Sequence, residues 1–470
     1  MPGSNGPITL ALTFNEVKDA AVRHKALQGW ICPPARFILL YRRTNYADAP
    51  GARRFAQAGG RRGHGLFCAP RRGSPEDSPP HLPSGIGRVP TAPRQVPTPS
   101  HAADTEQEMA LKITTGRAFP IGIDLGTSAV KMAQMRREDQ ALELLAAGSA
   151  PLGSAEEQSF TQRLDAVGAA IRGIMKSDAF RGNECVISLP AECTFVQHVK
   201  IPKGPAEEVS KAIQWELQGK LPFPPGDAVI RHIVAGDAFG DHEAKQEVIV
   251  VAAARALLDS CLAMARRCKL DVAGINIEPC ALVECFSRLF RRTSDASRTI
   301  LYVDLGAAST QVAMSHGSRI VFARNLNIGG NRLDKVVAEG LGIAGSQARQ
   351  MRRDLAAGHC SPGAQDELYH LLDAPLEGLC QELALCMQYY DTVFRNQAVE
   401  RVIFLGGGAY DKRLCQSIAE RLNLTAQIGD PLIRVERVGG AGLACGLDRR
   451  EPQPDWAVAV GLSLGAEKAA

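Results

Sequence analysis

One eight-residue pattern occurs twice in this 470-residue chain, and it limits the fold more than any other feature. Ile121-Gly122-Ile123-Asp124-Leu125-Gly126-Thr127-Ser128 returns 180 positions later as Leu301-Tyr302-Val303-Asp304-Leu305-Gly306-Ala307-Ala308. Each copy is an apolar strand ending in Asp-Leu-Gly, then small residues and a returning apolar strand. A single Asp-x-Gly hairpin is an ordinary turn. Two copies of one pattern predict a duplicated domain folded into two facing lobes. Strands and amphipathic helices alternate around both copies, which places the chain in the α/β class.

The predicted elements follow that plan. Strand, turn and strand run from Ala118 to Met135. A helix over 161–175 carries Leu164, Val167, Ile171 and Ile174 on one face. Cys185–Leu189 is a short strand. Pro205 opens a helix to Gln218 with Val209, Ile213 and Leu217 on one stripe, and Pro222 stops it. A buried strand over 247–254 precedes helices to Lys269 and over 276–291. Residues 298–327 read as a second run of strands, followed by long helices over 331–357 and 366–395. The strand Arg401–Leu405 enters Gly406-Gly407-Gly408, a helix runs to Asn423, and the last element spans 457–464.

Charge and composition narrow the function. Fourteen basic and 8 acidic residues precede position 109; 40 basic and 42 acidic residues follow it. The nearly neutral body carries no footprint for nucleic acid, and 5% aromatic content leaves little for base stacking. Residues 1–108 are crowded with Pro, Gly and interleaved Arg pairs, and are expected to lie outside the fold, as a disordered or mis-assigned extension. The 13 cysteines include no C-x-x-C pair, so they are expected as free thiols in a reducing cytosol. No apolar run reaches membrane-span length and no secretory signal is evident.

The hairpins suit a nucleotide triphosphate. Glycine lets backbone N–H groups approach phosphate oxygens closely. Asp124 and Asp304 are the candidate ligands of a hydrated Mg²⁺, which is held by few protein groups. Gly126, Thr127 and Ser128 belong to the first phosphate loop; Gly306, Ser309 and Thr310 to the second. Lys131 reads equally as a phosphate partner or a solvated strand lysine. The turn at Gly406, Gly407 and Gly408 is either a plain strand–helix connection or a surface for base and ribose, with a helix N-terminus aimed at phosphate.

Phosphate, phosphate and adenosine elements in that order resemble the actin, hexokinase and heat-shock ATPase superfamily. Within it, Ile187-Ser188-Leu189-Pro190, Ile201-Pro202, Ile213-Gln214-Trp215-Glu216, Leu221-Pro222-Phe223, Val248–Ala253 and Gly274–Pro279 resemble the PilM family of type IV pilus assembly proteins, over about residues 117–465. The resemblance implies an actin-like two-lobed fold with duplicated ribonuclease-H-like domains and an inserted FtsA-like subdomain. It implies ATP and Mg²⁺ between the lobes, with Ala459 and Gly461 on a closing helix. It also implies a position at the cytoplasmic face of the inner membrane, through the cytoplasmic tail of a PilN-like protein, in contact with pilus motor ATPases. The tail groove is expected between the first lobe and the inserted subdomain, with helix 205–218 and the Leu221-Pro222-Phe223 turn as its walls. Ile213 and Leu217 are expected in the subdomain's own core.

On this reading the first lobe comprises 109–189 and 450–470, the inserted subdomain 190–265, the second lobe 266–330 and 398–449, and a helical nucleoside-side subdomain 331–397. One departure stands out. The family pattern has Asp where this chain has Asn331, and Ala-Glu-x-x-Lys where it has Ala348-Arg349-Gln350-Met351-Arg352. A carboxylate becomes Arg349, which removes acceptors from the nucleoside half. No base to activate water is evident, so any hydrolysis is expected to be slow. The alternatives are a small-molecule kinase, for which Glu192 is the nearest carboxylate, and a filament protein of the FtsA type. The latter ends in a membrane-binding amphipathic helix, a pattern that Ser463–Ala470 does not show.

Overall fold

The computed structural model describes residues 41–42, 116–153, 158–177, 180–238, 244–290, 292–395, 397–447 and 450–465. The expectation for residues 1–108 lies outside these, apart from a two-residue strand β1 (Tyr41–Arg42).

The first copy of the repeat forms β2 (Arg117–Ala118), β3 (Ile121–Leu125), β4 (Ala129–Glu138), β5 (Ala141–Pro151), α1 (Phe160–Ser177) and β6 (Glu184–Leu189). Strands β3, β4 and β5 make an antiparallel meander, and β6 runs parallel to β3. Next come β7 (Phe195–Pro202), α2 (Ala206–Glu216), β8 (Ala228–Ala238) and β9 (Lys245–Ala254), an antiparallel sheet in the order β7-β9-β8. Val209, Ile213 and Leu217 pack on Val199, Ile201, Val248 and Val250 there, a small core separate from the main one. The inserted subdomain therefore has its own apolar reason to fold.

Helix α3 (Arg255–Arg267) returns to pack on α1, and β10 (Asp271–Ile277) runs parallel to β6. Strand β1 pairs antiparallel with β10. Strand β10 thus belongs to the first sheet, whereas the sequence reading gave 266–330 to the second lobe. The ladder to β6 places it; its apolar pattern alone fits either lobe.

After α4 (Glu278–Ser287), the second copy forms β11 (Thr299–Leu305), β12 (Thr310–His316) and β13 (Arg319–Leu326). Three helices follow: α5 (Gly330–Leu341), α6 (Gly345–Ala356) and α7 (Pro362–Val393). The single helix expected over 331–357 is two, because Gly342 takes a left-handed conformation (φ 64°) and ends α5. Then come β14 (Val399–Leu405), α8 (Lys412–Arg421), β15 (Thr425–Ile428), β16 (Glu436–Arg437) at the edge of β5, and α9 (Ala457–Gly465). The second sheet reads β13-β12-β11-β14-β15, and the matching part of the first reads β5-β4-β3-β6-β10. Both are a three-strand meander continued by two parallel strands, so the duplication extends from the eight-residue pattern to the whole sheet.

The lobes meet along α4 and α9. A Cβ on Gly122 of β3 would lie 2.0 Å from the Ala459 carbonyl oxygen, and one on Gly461 would lie 1.9 Å from that of Ala281. Backbone touches backbone on both sides of α9. Gly461→Val is expected to cost about 3 kcal/mol or more, because the obstacle is a carbonyl that cannot move aside. Gly173→Ala, on the exposed face of α1 where a Cβ meets nothing, is expected to gain about 0.5–1 kcal/mol from helix propensity. Urea unfolding of the two variants checks both signs.

Candidate functional site

All ten residues singled out in the sequence line one cleft of about 920 Å³ between the lobes: Asp124, Gly126, Thr127 and Ser128 on one side, Asp304, Gly306 and Thr310 on the other, and Gly406, Gly407 and Gly408 at the third loop. That volume suits a nucleotide-sized ligand.

The two aspartates hold equivalent places at the ends of β3 and β11, and both are buried. Ser188 donates to Asp124 Oδ1 (3.3 Å). Burial pushes the Asp124 carboxyl up to about 6, with Lys131 opposing. Burial, then the charge of Asp124, pushes Asp304 up to about 7. Gly406 lies against Asp304: a Cβ there would come within 2.1 Å of Asp304 Oδ1, and its φ of 77° is one that favours glycine. The third loop is therefore fitted to the aspartate of the second hairpin. Gly329 lies as closely on that hairpin, where a Cβ would meet Ser309 N at 2.5 Å. The N–H groups of Gly330 and Asn331, at the start of α5, donate to the carbonyls of Gly306 and Ala307.

Lys131 is not a solvated strand lysine. It donates to the Asp455 carbonyl oxygen and pairs with the Asp455 carboxylate, both at 2.8 Å. Tyr410 donates to the other oxygen of that carboxylate (2.7 Å). A strand of the first lobe, the approach to α9 and the third loop are thereby joined. Two expected roles are revised. Thr310 donates its hydroxyl to the Ile328 carbonyl (2.6 Å), so its proton braces the hairpin. The N-terminus of α8 is capped by Asp411, which accepts from Leu414 N (2.9 Å), so a carboxylate already takes the place expected for phosphate.

Glu278, placed in the sequence only within the Gly274–Pro279 stretch and the helix predicted over 276–291, is a cleft carboxylate that reading did not single out. It opens α4, lines the cleft, and is held well above the usual carboxylate range by burial and then by the charges of Asp124 and Asp304. The available signal was a Glu-Pro at a helix start directly after an apolar strand. Glu192 stands outside this cleft, paired with Arg163.

The departure at Arg349 is compensated within the fold. Asp334, one turn beyond Asn331, accepts from Arg349 Nε (2.8 Å) and Arg352 Nη1 (2.7 Å), and Arg352 also donates to the Gly330 carbonyl (2.9 Å).

A second, smaller depression of about 350 Å³ lies where the first lobe meets the inserted subdomain, lined by Phe160, Glu192, Phe195, Pro222, Phe223 and Leu257 among others. Pro222 and Phe223 of the expected turn line it, Leu221 does not, and Ile213 and Leu217 are in the subdomain core as expected. Helix α2 contributes no lining residue, and its Trp215 is 72% exposed.

The architecture defines an actin-like, two-lobed α/β protein with a polar cleft between duplicated domains. The chain belongs to the PilM family of type IV pilus assembly proteins, whose pattern matches residues 122–466. Among solved structures, it matches a PilM–PilN type IV pilus biogenesis complex at 20% identity, over 74% of this chain and 98% of that one, with a TM-score of 0.61. It matches the ethanolamine utilization protein EutJ from Carboxydothermus hydrogenoformans at 13% identity, over 74% and 89% of the two chains, with a TM-score of 0.44. Component A of (R)-2-hydroxyglutaryl-CoA dehydratase from Acidaminococcus fermentans matches at 12% identity, over 75% and 98%, with a TM-score of 0.35.

Asp124 and Asp304 keep protons in the folded state, up to about pH 6 and 7, that the unfolded chain loses near 3.8. Their contribution to stability is therefore expected to fall as pH rises from about 4 to about 7 in the absence of ligand. Asp304→Asn removes one of these titrations. Thermal unfolding across that range is expected to show a flatter profile for the variant, and a higher midpoint than wild type above pH 7.

Proposed function

We propose that the chain is an ATP-binding adaptor of the type IV pilus inner-membrane platform, recruited by the cytoplasmic tail of a PilN-like membrane protein. The observation that carries the nucleotide half is the pairing of two buried aspartates, each at the head of a glycine hairpin, across one cleft. An unpaired buried carboxylate is costly. The hairpin end holds Asp124, Glu278, Asp304 and Asp455 against the one cation Lys131. Among the described residues no three metal-ligating side chains cluster. That donor set fits a hydrated Mg²⁺, which shares few protein groups and takes the rest of its shell from water and phosphate.

Asp124 and Asp304 would hold the hydrated cation, which neutralises phosphate charge when bound. Backbone N–H groups of the hairpins other than that of Gly306, which donates to the Ser309 carbonyl, would meet the phosphate oxygens, and Gly407, where a Cβ meets nothing, would leave room for the nucleoside. Glu278, also in the lining, would accept from or donate to a water at that end. Its raised protonation works against it as a base, which supports slow turnover at most. On this reading the protein is a switch.

The partner half rests on the depression beside the inserted subdomain. Its aromatic lining suits apolar side chains of an extended peptide, and a short tail without a core binds in that manner. No described helix is long and apolar enough to cross a membrane, so attachment through another protein's tail accounts for a place at the inner face. Contact with the pilus motor ATPases belongs to the same proposal.

Calorimetry is expected to show Mg-ATP binding that weakens at least about tenfold, ~1.4 kcal/mol, in Asp304→Ala. Turnover is expected far below the ~10 s⁻¹ typical of enzymes; a rate at that level would make the protein an enzyme rather than a switch. Glu278→Gln is expected to lower residual hydrolysis while ATP still binds. A synthetic N-terminal tail of the PilN-like protein is expected to bind the wild type and to be lost in Phe223→Ala. Binding that survives deletion of residues 190–265 in an intact fold would place the groove elsewhere.

A further inference from the structure

We propose that the cleft selects a nucleotide bearing phosphate on its ribose as well as at its 5′ position. This rests on the nucleotide reading above and adds the ligand class. The charges of the cleft are divided by end. Asp124, Glu278, Asp304 and Asp455 share the hairpin end with Lys131, whereas every other cation of the lining belongs to α6 or the start of α8: Arg349, Arg352, Arg353 and Lys412; Glu451 is a further carboxylate of the lining.

Acceptors are scarce at that second end. Both oxygens of Asp334 are engaged, one by Arg349 and one by Arg352. Asp411 Oδ1 accepts both from the Tyr369 hydroxyl (2.6 Å) and from Leu414 N (2.9 Å), so of the carboxylate oxygens of Asp334 and Asp411 only Asp411 Oδ2 remains. Arg352 Nε has no acceptor among the described residues. Arg353 and Lys412 are exposed at the lining and make no side-chain ion pair among the described residues. Guanidinium and ammonium groups are donors only.

A ribose with free hydroxyls is held by a carboxylate that accepts from them, and a ribose phosphate by arginine. A phosphate monoester brings several strong acceptor oxygens and up to about two charges at neutral pH. It matches a donor-rich, acceptor-poor end. Clamping of α6 to α5 by Asp334 accounts for Arg349 and Arg352 as structural groups. It leaves Arg353 and Lys412 without a role, and these two reach the lining from different helices.

The test is calorimetry on the full chain with Mg²⁺, using pairs matched at the 5′ end: AMP against adenosine 3′,5′-bisphosphate and adenosine 2′,5′-bisphosphate, and GDP against guanosine 3′,5′-bis(diphosphate), with ATP alongside. At least tenfold tighter binding of a ribose-phosphorylated member is expected. That gain is expected to vanish in Arg353→Ala/Lys412→Ala, whose melting temperature should match wild type because both side chains are exposed. Binding of ATP, AMP or GDP with no gain from the ribose phosphate overturns the proposal and leaves the nucleotide reading intact. A gain that persists in the double variant overturns the assignment to these residues. No binding of any nucleotide overturns both readings together.

Discussion

Helix α9 is in direct backbone contact with β3 and is pressed on its other side against α4, and the rest of the molecule is arranged around that contact. Every residue of α9 is buried, as expected of a helix apolar on all faces. Ser463 fastens it by donating to the Pro120 carbonyl (2.8 Å) and accepting from Met135 N (3.0 Å). The residues just before α9 carry Asp455, which holds Lys131 from the first lobe and Tyr410 from the second. The position of α9 thus sets where Lys131 stands at the hairpin end of the cleft. A glycine in the first repeat and one near the end of the chain fix a distance, and the charge pattern of the site follows from it.

The cleft and the depression beside the inserted subdomain share a wall. Arg163, 3% exposed on α1, donates to the Thr127 carbonyl of the first hairpin (3.3 Å) and pairs with Glu192, which lines the depression. From the other lobe, Asn325 on β13 donates to the Thr194 hydroxyl (3.1 Å) of the same lining, and β13 leads into Gly329 on the second hairpin. Each hairpin is therefore one or two side chains from the depression. A buried guanidinium shared by two acceptors resists displacement, because moving either acceptor leaves donors unpaired.

Legibility in the sequence depended on the range of the constraint. The hairpins were visible because their requirements are local: apolar alternation, an acid at the strand end, glycine at the turn. The inserted subdomain's core was visible as a stripe on α2. Strands β5, β7, β8 and β10 were not predicted; in β5 and β8 small or polar residues such as Ala146-Ala147-Gly148-Ser149 and Arg231-His232 blunt the apolar alternation. The lobe membership of β10 depends on its ladder partner, which no local pattern specifies. The pairing of Asp455 with Lys131 spans 324 positions. Asp334 answers Arg349 only because Gly342 turns α6 back beside α5, so the substitution and its compensation looked unrelated in one dimension.

The two ends of the cleft differ in what they do to the fold. At the α6 end, Asp334, Arg349 and Arg352 clamp one helix to another, and each of these three charges has a partner that favours the folded state. At the hairpin end, burial raises both Asp124 and Asp304, and Lys131, already held by Asp455, shares that end with four carboxylates. Asparagine would fill the same space without a charge to desolvate. The acid is nevertheless present in both copies, at the same turn, and in the second copy it lies against Gly406, where a side chain would not fit. Residues that oppose stability in the isolated chain are those whose energetics would change most on binding of the cation proposed above.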